Sequence, residues 1–265
     1  MTNWQEFEHG CSVYLNSKFG RFATFNAEGG SDSTISDIKA CTSDGKSFYI
    51  EAKKSPAQCG QFVLLPDVST KTFKYSASNA TPQNAFSSAI IAHMEKSFDE
   101  YKDAGTKGKS INIENGNKIF TSWIIQYYQT KGVKFIITNN NILLPVEDIV
   151  NYFDVTATYR IKRSGSSSVR QKDIETIQNY LARNYNITAS FVENRKLFIS
   201  SKFDLDNERF ILLNNEYMIS KRKTMYEIRR LSNTFNANVI FSITLHPEKQ
   251  GISDGEFISF LKQTC

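Results

Sequence analysis

Asp37, Glu51 and Lys53 are the residues whose types and spacing suggest chemistry. Two carboxylates a few ångströms apart repel, so such a pair binds a cation or raises one pKa. Hard oxygen ligands with room left for water and a substrate phosphate suit Mg²⁺. Such an ion neutralises charge on a phosphate in flight and activates water, and a lysine alongside can hold or deprotonate the attacking water. The chemistry that fits is hydrolysis of a phosphodiester by in-line attack.

The elements that must position this trio are two β-strands. Ile35, Ile38 and Ala40 mark the first, Phe48, Tyr49 and Ile50 the second, and Asp44-Gly45-Lys46 is a turn signal between them. Side chains alternate faces along a strand, so Glu51 and Lys53 share a face, and pairing of the strands brings Asp37 beside Glu51. The pattern of an acid, any residue and a lysine is by itself weak. It occurs four times, starting at Asp37, Asp44, Glu51 and Glu100. Glu51 stands apart because it closes an apolar run, where an ordinary surface charge would be out of place.

Ser36-Asp37, a thirteen-residue spacer and Glu51-Ala52-Lys53 resemble the active-site motif of the PD-(D/E)XK nucleases, with Ser36 in place of proline. Longer blocks resemble the HhaI-type restriction endonucleases. They include Asn3-Trp4 with Glu6-Phe7-Glu8, Ser31-Asp32-Ser33-Thr34, 58–64, 158–162 and 231–241. The regions 167–228 and 246–265 resemble that family weakly or not at all.

The resemblance implies an α/β protein with mixed sheets, a restriction-endonuclease-like core, a recognition domain and a third small α/β domain. It implies a catalytic part at 1–132, a recognition part from 133–166 plus 229–265, and an additional DNA-backbone-binding part at 167–228. By the same likeness the chain is a monomeric type II enzyme cutting double-stranded DNA at GCGC, leaving 5′-phosphates and 3′ overhangs, and accompanied by a DNA methyltransferase. Asp37, Glu51 and Ala52 would bind Mg²⁺ and Lys53 would position the water. A different PD-(D/E)XK nuclease (repair or junction-resolving) and a non-catalytic DNA-binding module are the rival readings.

Bulk properties agree with a cored protein. The 265 residues suffice for one large or two to three small domains. Thirty-two Lys and Arg against 27 acids give +5, which favours polyanions modestly. Cys11, Cys41, Cys59 and Cys265 form no C-x-x-C pair, so zinc spacing is absent and a disulfide framework is not expected. Neither a signal peptide nor a run of spanning length is present, which predicts a cytoplasmic protein without membrane association. His9, His93 and His246 stand isolated, against a histidine-based nuclease.

Along the chain, 3–17 reads as a helix with Trp4, Phe7, Cys11 and Leu15 on one face and Glu8, a candidate accessory acid, beside it. Gly29 to Ser33 reads as a loop. Pro56 after Ser55 predicts a helix start, with Gln58 and Gln61 placed to touch DNA. Residues 82–102 predict one long helix. Gly105 to Ser110 lacks phosphate-loop spacing and reads as a basic loop for DNA phosphates. Helices near 117–130 and 146–153 flank a strand at 133–138, and the strand 155–161 delivers Arg160, Lys162, Arg163 and Ser164 into a basic Gly/Ser-rich loop suited to bases and phosphates. The 167–228 region predicts one helix and four short strands. Asn233, Asn236 and Asn238 suit turns or base edges.

Overall fold

A computed structural model describes residues 3–28 and 36–263. The first helix, α1 (Asn3–Phe19), turns Cys11, Leu15 and Phe19 inward, while Trp4 at its start stays 44 % exposed. It is followed by β1 (Ala23–Ala27), β2 (Ile38–Thr42) and β3 (Ser47–Ala52). The β2–β3 hairpin has the predicted turn: Gly45 sits at φ +85°, a backbone region glycine enters without steric cost, and Lys46 pairs with Asp44. The Gly29–Ser33 loop, Thr34 and Ile35 lie outside the described residues, as does Cys265.

β4 (Ala57–Asp67) and β5 (Thr72–Tyr75) come next. The helix start expected at Pro56 is therefore an eleven-residue strand. Its interior residues Cys59, Phe62 and Leu64 are buried, and pairing on both sides overrides the capping signal. The long helix expected over 82–102 is two pieces, α2 (Ala85–Lys96) and α3 (Phe98–Tyr101). Ser97 between them leaves the helical region at φ −120°, ψ 39°. The short strand β6 (Lys109–Ser110), α4 (Gly116–Thr130), β7 (Val133–Ile137), β8 (Leu143–Pro145), α5 (Ile149–Tyr152) and β9 (Phe153–Arg163) complete the first pass.

The inserted region holds β10 (Ser166–Ser168), α6 (Ile174–Asn184), β11 (Ile187–Glu193), β12 (Lys196–Ser201), β13 (Arg209–Leu212), β14 (Asn215–Arg222) and β15 (Met225–Leu231). The sequence reading missed β10 and β15; the latter is the central partner of β12 and β14. Ile174, Ile177 and Leu181 of α6 close a core with Leu197, Ile199, Phe210, Tyr217 and Ile228. Glu227 is buried on β15 between Arg222 at 3.0 Å and Arg229 at 2.6 Å. β16 (Phe235–Leu245) and α7 (Asp254–Gln263) end the chain.

By backbone contacts the chain forms two units: up to Arg160 together with Ala237 onward, and Ile161–Asn236. Of the stretches that the resemblance assigns to recognition, 133–160 and 237–265 cluster with the first unit, and 161–166 and 229–236 with the second. β7 is hydrogen-bonded in parallel to β3, and α7 packs Phe257 and Leu261 into the core beneath the β2–β3 hairpin.

The first unit contains two five-stranded sheets, ordered β1-β2-β3-β7-β8 and β5-β4-β16-β9-β6. Helices α1 and α7 cover the first sheet, where Phe257 meets Phe19, Phe25 and Phe135. Leu15, Ile38, Ile50 and Leu261 are fully buried there, each worth about 1.5–3 kcal/mol of burial. Against the second sheet, Trp123 of α4 stacks on Phe241 at 4.5 Å. The strand beneath carries Gly60 because a Cβ there would lie 2.9 Å from the Trp123 ring.

Candidate active site

The antiparallel register pairs Ile38 with Ile50, so the next step along the hairpin sets Asp37 against Glu51. Asp37 Oδ2 accepts the Ala52 backbone N–H at 2.9 Å and the Lys53 ammonium at 3.0 Å. Lys53 Nζ also reaches Glu51 Oε2 at 2.6 Å. The three residues singled out in the sequence therefore meet. Lys53 is held at its backbone, donating N–H to Ile137 at 2.9 Å and accepting the Thr138 hydroxyl at 2.6 Å. Strand β7, parallel to β3, thus fixes where the lysine stands.

The electrostatics follow from burial. Asp37 is pushed above the usual carboxylate range by desolvation, opposed by Lys53 and reinforced by Glu51. Desolvation also raises Glu51, but the Lys53 charge and hydrogen bond, Lys131 and Ser36 outweigh it and hold that carboxyl down. Burial lowers Lys53, and the Glu51 and Asp37 charges more than reverse this, so it is firmly an ammonium. Burial lifts the Glu8 carboxyl on α1 to about 7, Asp37 adds to the rise, and Lys53 partly offsets it. Glu8 therefore feels the site's field. Burial pushes the Cys11 and Cys59 thiols up to about 12, so neither is a nucleophile near neutrality.

Among the described residues, no three His, Cys, Asp or Glu side chains gather in a metal-binding arrangement. What the site presents is a carboxylate pair in which Glu51 Oε1 is buried without a hydrogen-bond partner, with Lys131 Nζ 3.7 Å away. An unsatisfied buried carboxylate oxygen beside a second acid suits a hard divalent cation. The resemblance implies such an ion, and these residues fit it. Ala52 has only its backbone to offer; its N–H is spent on Asp37, leaving the carbonyl as a possible ligand. Lys131 was not singled out by sequence: it lies eighty residues beyond Glu51 and reaches it only because α4 runs into β7.

The residues proposed for DNA form two groups, one in each unit. In the first unit, Gln61 Oε1 accepts both Gln58 Nε2 at 3.3 Å and Asn238 Nδ2 at 3.1 Å. Residues 58 and 61 would face oppositely on a regular strand. The register between β4 and β16 slips between Phe241 and Ser242, and this bulge turns Gln58 toward Gln61. Arg160, half-buried near the end of β9, stays in this unit.

In the second unit, Arg163 pairs with Glu216, donates to the Ser232 carbonyl at 3.2 Å and lies over the Phe235 ring. Ser164 donates to Asn236 at 3.1 Å and accepts the Thr234 hydroxyl at 2.9 Å. Lys162 and Asn233 are exposed. Thr234 and Phe235, not singled out in the sequence, join this group.

No family model and no curated protein matches the chain. Among solved structures, one of a restriction endonuclease does. The HhaI endonuclease in complex with DNA superposes with a TM-score of 0.72 at 37 % identity, covering 99 % of this chain and 97 % of that one. The protein is a site-specific nuclease of the type II restriction class. It belongs to the HhaI-type restriction endonuclease family.

Proposed function

We propose that this chain is a Mg²⁺-dependent endonuclease of PD-(D/E)XK type that cuts double-stranded DNA at the palindrome GCGC, leaving 5′-phosphates and short 3′ overhangs. The observation that carries the reading is the convergence of Asp37 and Glu51 on Lys53, at the mouth of a hairpin, in a member of this nuclease family. Asp37, Glu51 and the Ala52 carbonyl would hold the ion. When bound, it supplies Lewis-acid neutralisation at the phosphodiester.

The protein's own contribution is positional. Lys53, charged and pinned by β7, donates hydrogen bonds; it therefore orients the attacking water rather than taking its proton in the state described. Asp37 orients Lys53, and the Ala52 N–H orients Asp37. Gln58, Gln61 and Asn238 read base edges, as do Arg160, Arg163, Asn233 and Asn236, while Lys162, Ser164 and the loop from Gly105 to Ser110 hold phosphates. Region 167–228 adds sequence-independent backbone contact. The enzyme acts in the cytoplasm as a monomer with one active site, nicking the two strands in turn beside a methyltransferase that protects the same sequence.

Plasmid digestion with Mg²⁺, followed by sequencing of the ends, tests this. Discrete bands ending at GCGC with 3′ overhangs are expected. A smear or junction-only cutting would favour a structure-selective nuclease, and binding without any cutting a non-catalytic module.

A further inference from the structure

The inward stripe of α1 runs out of the core toward the active-site end of its sheet. Leu15 and Cys11 are buried, Glu8 is 9 % exposed, and Trp4, one turn further on, is 44 % exposed. Hydrogen bonds fix the level of the helix against the strands. The Phe25 carbonyl on β1 accepts Ser12 Oγ at 2.7 Å and Asn16 Nδ2 at 2.6 Å. Phe25 is paired with Ala40, and Asp37 lies three residues before Ala40, about 10 Å along the strand. The turn at 20–22 reverses the chain, so α1 runs beside β1 in the opposite sense. At about 1.5 Å per residue, the same rise leads back along the helix from Ser12 and Asn16 to the level of Glu8. After burial itself, Asp37 raises the Glu8 pKa most, which agrees with that level. Along the helix axis Trp4 therefore stands about 6 Å beyond Asp37, past the ends of β2 and β3.

An indole left in water at this place forgoes the burial that its large apolar area favours. It does not belong to a broad apolar face of the kind a protein partner covers. Val13, the other large apolar side chain exposed among the described residues of α1, is nine residues further on and so on the opposite side of the helix. Glu6 and His9 near it are exposed and polar. What a single aromatic ring offers beside a phosphodiester-cutting centre is a flat surface for a nucleotide. Such stacking is sequence-tolerant, because every base has a π-face, and so it suits a position outside the bases being read.

We propose that Trp4 is a substrate-contact residue of the cleavage site, its indole laid against a nucleotide of the bound duplex next to the scissile phosphate. This rests on the reading of Asp37, Glu51 and Lys53 as the cleavage centre.

The chain has two tryptophans, and burial separates them: Trp123 is 1 % exposed, so quenching of fluorescence by acrylamide reads Trp4. The test titrates wild type with a duplex carrying GCGC, with Ca²⁺ replacing Mg²⁺, and follows quenching alongside gel shifts. Bound duplex should shield Trp4 from acrylamide, and Trp4→Phe should lose that signal while keeping most of the affinity. Trp4→Ala should bind about tenfold more weakly with an unchanged log–log salt slope, because stacking releases no counterion. Wild-type affinity for Trp4→Ala overturns the proposal. So does a Trp4 quenched as freely in the shifted complex as in the free protein. Shielding that grows with protein concentration alone also overturns it, since the occupant is then a second copy of the chain. A wild type that shifts no duplex takes the nuclease reading down with it. Asp37→Asn is incubated with plasmid and Mg²⁺ in parallel. Continued cutting sinks the cleavage-centre reading and this one together, whereas a dead Asp37→Asn beside a freely quenched Trp4 sinks only the role given to Trp4.

Discussion

Each member of the proposed catalytic group is placed by a different local device, so each should fail differently. Asp37→Asn and Glu51→Gln remove oxygens meant for the ion and should abolish cutting, with DNA binding in gel shifts retained. Lys53→Met removes the water-orienting donor and should slow single-turnover cleavage by about 10²–10⁴-fold, with affinity for the duplex kept. Chelating divalent ions with EDTA should stop the wild type and returning Mg²⁺ restore it. Glu8 yields a pH signature. Its folded pKa, about 7, lies above the ordinary 4.5, so the metal-free fold retains the proton that the unfolded chain gives up. The group's effect on stability is most favourable below about 4.5 and is lost as pH rises through about 7. Glu8→Gln should then melt roughly 2–4 °C above wild type near pH 8, with the gap closing toward pH 5 in scanning calorimetry.

At the scale of elements, the hairpin that brings Asp37 and Glu51 together was legible because its signals agree: a glycine-containing turn, β-branched and aromatic strands, and an acid ending an apolar run. What was not legible depended on distant partners. Residues 57–67 carry a helix-start signal after Pro56 and still form a strand, because β16, some 180 residues on, supplies its hydrogen bonds. The Gln58–Gln61–Asn238 cluster needs the bulge in that pairing, which local sequence does not announce. Lys131 was invisible for the same reason, its link to Glu51 running through a helix-to-strand junction. The insert's hidden centre, β15, was missed, although Glu227 on it neutralises two of the arginines nearby. Glu227→Ala should leave those arginines without a buried partner and cost about 2–3 kcal/mol in urea unfolding followed by a probe in the insert.

For the whole molecule, family membership turns the short motif into a firm class, since the likeness spans nearly the entire chain. The core that supports the site is ordinary and should respond as such. Leu15→Ala, which empties a fully buried position beneath β2 and β3, should lower stability by about 2–5 kcal/mol in denaturant titration and reduce cleavage only as far as the folded fraction falls.

The inserted unit begins and ends on stretches that are tied to each other: Ser164 N–H bonds the Thr234 carbonyl at 3.0 Å, and Ser232 N–H that of Gly165 at 3.0 Å. A segment whose two ends already touch is a cassette. Its neighbours in the chain need only a short clasp to replace it. Residues 167–228 fall inside that clasp.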